Sequence, residues 1–575
     1  MAETLLSPGV LARENDQSFI QGQPVERGAA LIGPSTKGPV EIPTIIGSFS
    51  EYTAVFGGSV ESGSNLYSYF NSIAASNYFQ NGGNSLLVTR VTSGSFSPAV
   101  SSTIATGSGG PTDGLSPFVL ETISEGEIMN TGTTLLSGGA LATGSSDNIR
   151  WEIAGVNTSS GTFSLLVRRG DDTTNSKVVV EQYNNLSLDP YSSNYISKVI
   201  GDVDHTLVND GSDYYIQESG SYANASRFIR VKQVNYNTPR YFDNTGTAKN
   251  EFTGSLPVVG SGSFNGAVGS NIPSGRAANY YNNISSADSQ GLEGTDYTNA
   301  ISLMSNVDEY KYNVIAVPGL LNSEHSTQIT SIVNNTIARG DSISVIDLVK
   351  YNTTISTAIT QASGFDSSYA ATYWPWLQTI DPNIGEQVWI PASTMVPGVY
   401  AFTDASSDPW FAPAGITRGG LGQVTRAERK LSAGNRDSLY EANINPIATF
   451  PQSGVVVFGQ KTLQKRASAL DRINVRRLLI SLKSFISQIA DNLVFEQNSA
   501  STRNNFLSQV NPYLESVQQR QGLYAFKVVM DDTNNTPDVV DRNELIGQIF
   551  IQPTRTAEYI MLDFNVLPTG ATFPA

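Results

Sequence analysis

Two histidines, His205 and His325, are the whole imidazole supply of a 575-residue chain. A general base, a triad or a His-ligated metal would have to use one of them. His325 lies in Asn-Ser-Glu-His-Ser, where a helix begins, and reads as a solvated first-turn residue. Gly33-Pro34-Ser35-Thr36-Lys37-Gly38 has the glycine spacing of a phosphate loop. Pro39, however, stands where that loop needs lysine, and it supplies neither charge nor an amide N–H. Asp531-Asp532-Thr533-Asn534-Asn535-Thr536 has the polar spacing of a calcium loop but lacks its central glycine and distal bidentate glutamate. A polar turn held by side-chain-to-backbone hydrogen bonds is expected there. Asp171 and Asp172 sit in a hairpin turn, where carboxylates are routine. Asp347 closes a strand of parallel type, the place where α/β enzymes bind ligands, but no glycine fingerprint accompanies it. Cysteine is absent, which removes thiolate catalysis, thiolate metal sites and disulfides and suits folding in a reducing cytoplasm. No catalytic residue, metal site or cofactor is expected.

Two clusters remain. Lys461, Lys465, Arg466, Arg472, Arg476, Arg477 and Lys483 crowd a segment whose only acid is Asp471, in a chain of net charge −16. Arg472, Arg476 and Lys483 fall on one side of a helix, beside its apolar stripe. The ordinary reading is a solvated helix face; the functional one is a docking strip for an acidic partner. Trp374, Trp376, Trp389 and Trp410 are four of the five tryptophans. Core packing is the default for them, and a sugar platform would need a polar constellation that is not beside them.

The elements that must position these residues change along the chain. Up to residue 24 the sequence reads as an extended arm containing Pro8-Gly9-Val10. Residues 25–95 begin with a buried strand, Ala29 to Gly33, followed by a helix from Ser50 to Phe56. A second helix carries Tyr67, Phe70, Ile73, Ala74 and Tyr78 on one face, and Leu86-Leu87-Val88 returns as a strand. Residues 96–290 are rich in Ser, Gly, Thr and Asn and form an all-β insertion of one or two units, with short strands near 163–168, 177–181 and 229–232. Residues 291–440 are α/β. Strand Asn313 to Val317 turns at Pro318-Gly319, a helix runs to Gly340, and strand Ile343 to Leu348 follows, which implies a parallel crossover. Residues 441–556 start with Val455 to Phe458 and continue with helices at Asn474–Asn492 and Thr502–Gln519. Strands follow at Tyr524–Val529 and Leu545–Ile551. Residues 557–575 hold a last strand, Tyr559 to Val566, and a trailing tail.

Only 15% of residues are charged, so little like-charge repulsion holds copies apart. The acidic balance lacks the electrostatic attraction that dominates nucleic-acid binding. The N-terminus has no signal-peptide pattern, and no run approaches the roughly 18 apolar residues that span a bilayer. A soluble multidomain protein with no direct nucleic-acid or membrane contact is expected.

Several segments taken in order resemble the tail sheath proteins of contractile-tailed bacteriophages, the myophage tail sheath family. They are Pro8-Gly9-Val10, Ala30-Leu31-Ile32-Gly33-Pro34, Lys37-Gly38-Pro39-Val40 and Phe79-Gln80-Asn81-Gly82-Gly83. Leu166-Val167-Arg168-Arg169 and Asn184-Asn185-Leu186-Ser187-Leu188-Asp189-Pro190 lie in the insertion. Tyr373-Trp374-Pro375-Trp376, Trp389-Ile390-Pro391-Ala392, Pro397-Gly398-Val399-Tyr400 and Ala412-Pro413-Ala414-Gly415 follow. The C-terminal block is the most specific: Arg472-Ile473-Asn474-Val475-Arg476-Arg477-Leu478, Val494-Phe495-Glu496, Thr533-Asn534-Asn535-Thr536-Pro537 and Ile551-Gln552-Pro553-Thr554-Arg555.

The resemblance implies a structural subunit of the virion, assembled in the host cytoplasm. Hexameric rings would stack helically around a tail tube and contract. Partners would be other copies, the tail tube protein, the baseplate and the neck and tail terminator proteins. The implied fold class is α/β and β multidomain: a central α/β domain, an inserted all-β domain and an α+β C-terminal sheath domain completed by strand exchange. Pro8, Gly9 and Val10 and Tyr559, Ile560, Leu562 and Phe564 would be the exchanged arms. Lys465, Arg472, Arg476 and Lys483 would face the tube. Other readings are the sheath of a related contractile injection system, a β-rich receptor- or carbohydrate-binding protein, and an α/β enzyme built on Asp347.

Overall fold

Strands that are apolar at every position must bury both faces, which is the condition of a parallel sheet covered by helices on both sides. The computed structural model describes residues 28–62, 65–126, 134–142, 144–211, 214–269 and 280–560, and such strands form its centre. One eight-stranded sheet has the order Thr44–Ile46, Leu86–Arg90, Ala29–Gly33, Val314–Leu321, Ile343–Asp347, Ala370–Trp374, Asn445–Phe450 and Gly454–Val457. Its two outermost strands are antiparallel to their neighbours, and all the pairings between them are parallel. Strand alternation sends Leu31, Val88, Ala316 and Val345 to one face, beneath helices Phe70–Gln80 and Val396–Ser406. Ile32, Leu87, Ile315 and Ile346 go to the other, against Ser326–Arg339 and Ile355–Ala362.

Three local expectations are corrected. Pro318-Gly319 does not end its strand: the ladder shifts register between Ala316 and Leu321 and continues. Gly319 has φ +104°, and a Cβ there would come within 2.5 Å of the Gln290 side chain. The two bulged carbonyls are satisfied by Gln290 Nε2, donating to Pro318 at 3.1 Å, and Ser289 Oγ, donating to Gly319 at 2.6 Å. Tyr67 belongs to the strand Asn65–Ser68, not to the helix that begins at Phe70. Asn445–Phe450 and Gly454–Val457 form an edge of the central sheet, so Val455 does not open a new C-terminal unit.

Between the strands Leu86–Arg90 and Val314–Leu321, a seven-stranded antiparallel sheet is inserted. Its order is Val179–Ser187, Thr162–Arg169, Ile149–Asn157, Gly260–Asn265, Pro98–Ser101, Phe118–Glu125 and Ile229–Val234. Asp172 is no ordinary turn carboxylate. It is 4% exposed and receives Arg168 Nε and Nη2, both at 2.7 Å. Arg168 also reaches Glu152 at 2.6 Å, and Lys177 closes on the same Glu152 at 2.7 Å. The buried charges neutralise one another in a single network.

A second buried set joins the insertion to the central sheet. Arg90 donates to the Gly38 and Glu125 carbonyls, both at 2.7 Å, and Glu125 accepts the Val40 N–H at 2.9 Å. Burial pushes the Glu125 carboxyl up to about 7 against the pull of that N–H and of Arg90. Lys37 is 4% exposed, lies 3.6 Å from Asp147 and stands over the Phe228 ring at 5.7 Å. The glycine-spaced loop therefore buries its lysine in the fold and offers nothing to a phosphate.

Candidate assembly surface

The residues with chemical potential are spent on structure. His325 is 2% exposed and its Nδ1 accepts the Leu321 N–H at 3.3 Å, which corrects the expectation of a solvated residue. Burial lowers its pKa. His205 lies on a hairpin, 3.1 Å from Glu218. Asp347 is 5% exposed; one oxygen accepts the Ser393 N–H at 3.1 Å and the other its hydroxyl at 2.5 Å. The carboxyl thus fastens the turn before helix Val396–Ser406. Trp374, Trp376, Trp389 and Trp410 are all buried, so none presents a ring to a sugar. Asp531 accepts the Thr533 N–H at 2.9 Å, making the expected polar turn. Asn535 ties that turn to the Ile546 N–H and carbonyl at 2.9 and 2.8 Å. Among the described residues no group of three or more His, Cys, Asp or Glu is placed to hold a metal, and no helix is long and apolar enough to cross a membrane.

What the C-terminal part builds instead is an open surface. Helix Ile473–Asp491 carries Leu478, Leu482 and Ile489 on one stripe against Phe506, Val510 and Leu514 of helix Ala500–Gln519. Ser499 caps the second helix by accepting the Thr502 N–H at 3.2 Å. Against this pair lies a sheet of two strands, Leu523–Val529 and Gln548–Pro553, in antiparallel register with Phe526 opposite Ile551 and Val528 opposite Ile549. Those four side chains face the helices, whereas Tyr524 and Phe550 are 62% and 56% exposed. A ladder of two strands has two free edges, and among the described residues no third strand covers either.

Beyond Pro553 the chain turns back to the central sheet. Glu558 accepts from Arg472 Nε and Nη2 at 2.7 and 3.0 Å, from Gln460 Nε2 at 3.0 Å and from the Tyr440 hydroxyl at 2.9 Å. Burial alone would raise this carboxyl, but the hydrogen bonds, led by that of Arg472, bring it below the ordinary value. Tyr559 and Ile560 follow, without strand pairing and 76% and 78% exposed. Pro8, Gly9, Val10, Leu562 and Phe564 lie outside the described residues.

The four basic residues singled out in the sequence divide. Arg472 is engaged by Glu558 and by Asp471 at 3.1 Å. Arg476 is 3% exposed, stacks its guanidinium 4.0 Å from the Tyr369 ring and donates to Ser368, so it offers no charge to a docking partner in this conformation. Lys465 and Lys483 are exposed; Lys465 Nζ donates to the Ser363 carbonyl at 2.7 Å and Lys483 Nζ to the Tyr369 hydroxyl at 3.2 Å. Sequence reasoning missed the anchoring role of Glu558, whose only signal is one acid between the last strand and the tail.

Parts of this sequence match known proteins. Residues 290–463 match the phage tail sheath protein central domain and residues 466–567 the phage tail sheath C-terminal domain. The tail sheath protein of Vibrio phage KVP40 is 42% identical over 185 residues, 32% of this chain and 28% of that protein. The tail sheath protein of Enterobacteria phage T4 is 36% identical over 229 residues, 40% of this chain and 35% of that protein. The matched segments thus span roughly a third of the length of these relatives. The solved sheath tail protein of Listeria innocua is similar in fold, with a TM-score of 0.50 at 12% identity over 92% of this chain and 95% of that one. Two domains of phage tail sheath proteins, the central and the C-terminal, are thus matched in order between residue 290 and residue 567.

Proposed function

We propose that this chain is the structural subunit of a contractile tail sheath, acting without catalysis or cofactor. Copies polymerise as a helical stack of hexameric rings around a tail tube, between a baseplate and neck and terminator proteins, and contraction drives the tube through the host envelope. The carrying observation is the two-stranded sheet to which no third strand is added among the described residues, in the segment that matches a sheath C-terminal domain. In this reading residues 1–24 and 557–575 are arms that add strands to neighbouring copies. Strand addition satisfies edge N–H and C=O groups, at about 1 kcal/mol net for each bond, and a head-to-tail exchange generates an open helix.

The layout follows. The sheath core is formed by residues 25–95 and 291–440, extended by the two strands up to Val457, and residues 96–290 point outward. The C-terminal domain up to residue 556 faces the tube, with Lys465 and Lys483 as its contacting charges and Arg472 and Arg476 holding the platform behind them. In contraction the linking strands stay paired while rigid domains rotate and bury more surface. At about 25 cal/mol per Å², about 200 Å² of extra apolar burial per subunit supplies roughly 5 kcal/mol, summed over the lattice without nucleotide hydrolysis. Deleting residues 1–20 tests the exchange: soluble monomers are expected, and intact long sheaths would overturn it.

A further inference from the structure

The turn between helices Ile473–Asp491 and Ala500–Gln519 carries Val494-Phe495-Glu496, and Phe495 is 102% exposed. Its φ is +72°, in the left-handed region where a helix end ordinarily places glycine or asparagine. A phenylalanine fully exposed within its own chain, in a backbone conformation suited to another residue, contributes nothing to this fold. An outlier of that kind on an exposed turn has the character of a binding anchor.

The receiving surface lies at the other end of the same helix. A hollow of about 340 Å³ is walled by Ala412, Ala414, Pro446 and Phe458, with Arg436 and Gln460 at its rim. Phe458 is 44% exposed, and the Arg436 guanidinium stands 5.7 Å from its ring. Ile473, the first residue of the helix, donates its N–H to the Gln460 carbonyl at 2.8 Å, so the helix starts at the rim. Eighteen residues further the helix ends at Asp491, about 27 Å away at 1.5 Å per residue. Knob and hollow therefore sit at opposite ends of one rigid element and cannot meet within one copy. Asp491 and Glu496, both exposed, flank the knob, and Arg436 lines the hollow together with Asp437 and with Glu558, whose charge Arg472 takes up.

We propose that Phe495 inserts into the Ala412–Phe458 hollow of a second copy, a head-to-tail lattice contact separate from strand exchange. Such a contact does not close on itself and propagates an open helix. The proposal rests on the sheath reading above, and the experiment separates the two. Purified wild-type chain, Phe495→Ser and the pair Glu496→Cys with Asp437→Cys are assembled side by side, the absence of native cysteine making any disulfide diagnostic. Phe495→Ser should melt at the wild-type temperature and lose at least tenfold in tube yield. The cysteine pair should form tubes that oxidise to a ladder of cross-linked copies, which neither single cysteine variant gives. Normal Phe495→Ser tubes, or tubes of the cysteine pair without a ladder, would overturn this contact alone. Phe495→Ser that self-assembles normally but no longer coats isolated tail tubes would assign Phe495 to the tube and likewise overturn it. Failure of the wild-type chain to form tubes would instead overturn the sheath reading.

Discussion

Replacing Glu558 with alanine removes four hydrogen-bond acceptor contacts at once, two of them from Arg472. Hydrogen bonds to an ionised group are each worth roughly 1.5–3 kcal/mol. The Glu558 and Arg472 side chains keep 19% and 25% of their exposure, so solvent screens part of this, and Asp471 at 3.1 Å still offers Arg472 a partner. A net loss of about 2–3 kcal/mol is expected, a roughly 30- to 150-fold rise in the population in which the segment after Pro553 is detached. Arg555 lies in that segment, so tryptic cleavage after Arg555, followed by intact mass, reports the opening directly. The folded Glu558 pKa is depressed, so its contribution is full above the ordinary glutamate value and lost only as pH falls through the lower folded value. The difference between variant and wild type should therefore be constant from about pH 6 to 8. Glu558→Gln, which keeps an acceptor but not the charge, should fall between them. Cleavage of Glu558→Ala within threefold of wild type would refute the anchor.

Other parts of the fold give sharp expectations. Arg168→Met leaves buried Asp172 only Arg150, at 3.6 Å, and leaves Glu152 only Lys177, which should cost on the order of 3 kcal/mol and speed hydrogen exchange in strands Ile149–Asn157 and Thr162–Arg169; unchanged exchange would count against the network. Burial pushes Asp347 up to about 7 despite the hydrogen bonds from Ser393. An acid with a raised folded pKa stabilises most below its ordinary value, and that stability is lost as pH rises through the folded value. Asp347→Asn should flatten part of the fall in stability between about pH 4 and 7, by on the order of 1–3 kcal/mol, with Glu125 carrying the rest; parallel pH profiles would refute it. Lys465→Glu combined with Lys483→Glu should reduce assembly on the tail tube while leaving the fold intact, whereas Arg476→Glu should unfold the domain; unchanged tail yield from the double reversal would sink the tube-facing assignment.

The parts of the fold that were legible are those where burial dictates residue type at every position. Ala29–Gly33, Val314 to Val317 and Ile343 to Ile346 admit only apolar or small side chains because both faces are covered. The helix Ile473–Asp491 was equally clear from its stripe. Illegible were the places where a distant residue rescues a local break. Pro318-Gly319 looks like a turn because Ser289 and Gln290, which satisfy its carbonyls, lie far back in the chain. Lys37, Arg168 and Arg476 look like surface cations because their counter-charges and rings arrive from other elements. The anchor at Glu558 is of the same kind, since Arg472, Tyr440 and Gln460 converge on it only in three dimensions.

The central claim is that this chain completes itself only in a lattice of its own copies. Negative-stain microscopy of the purified full-length chain across a concentration series tests this most directly. Hollow striated tubes, growing in number with concentration, are the result expected. A monomer at every concentration, with both end segments paired within its own fold, would contradict it.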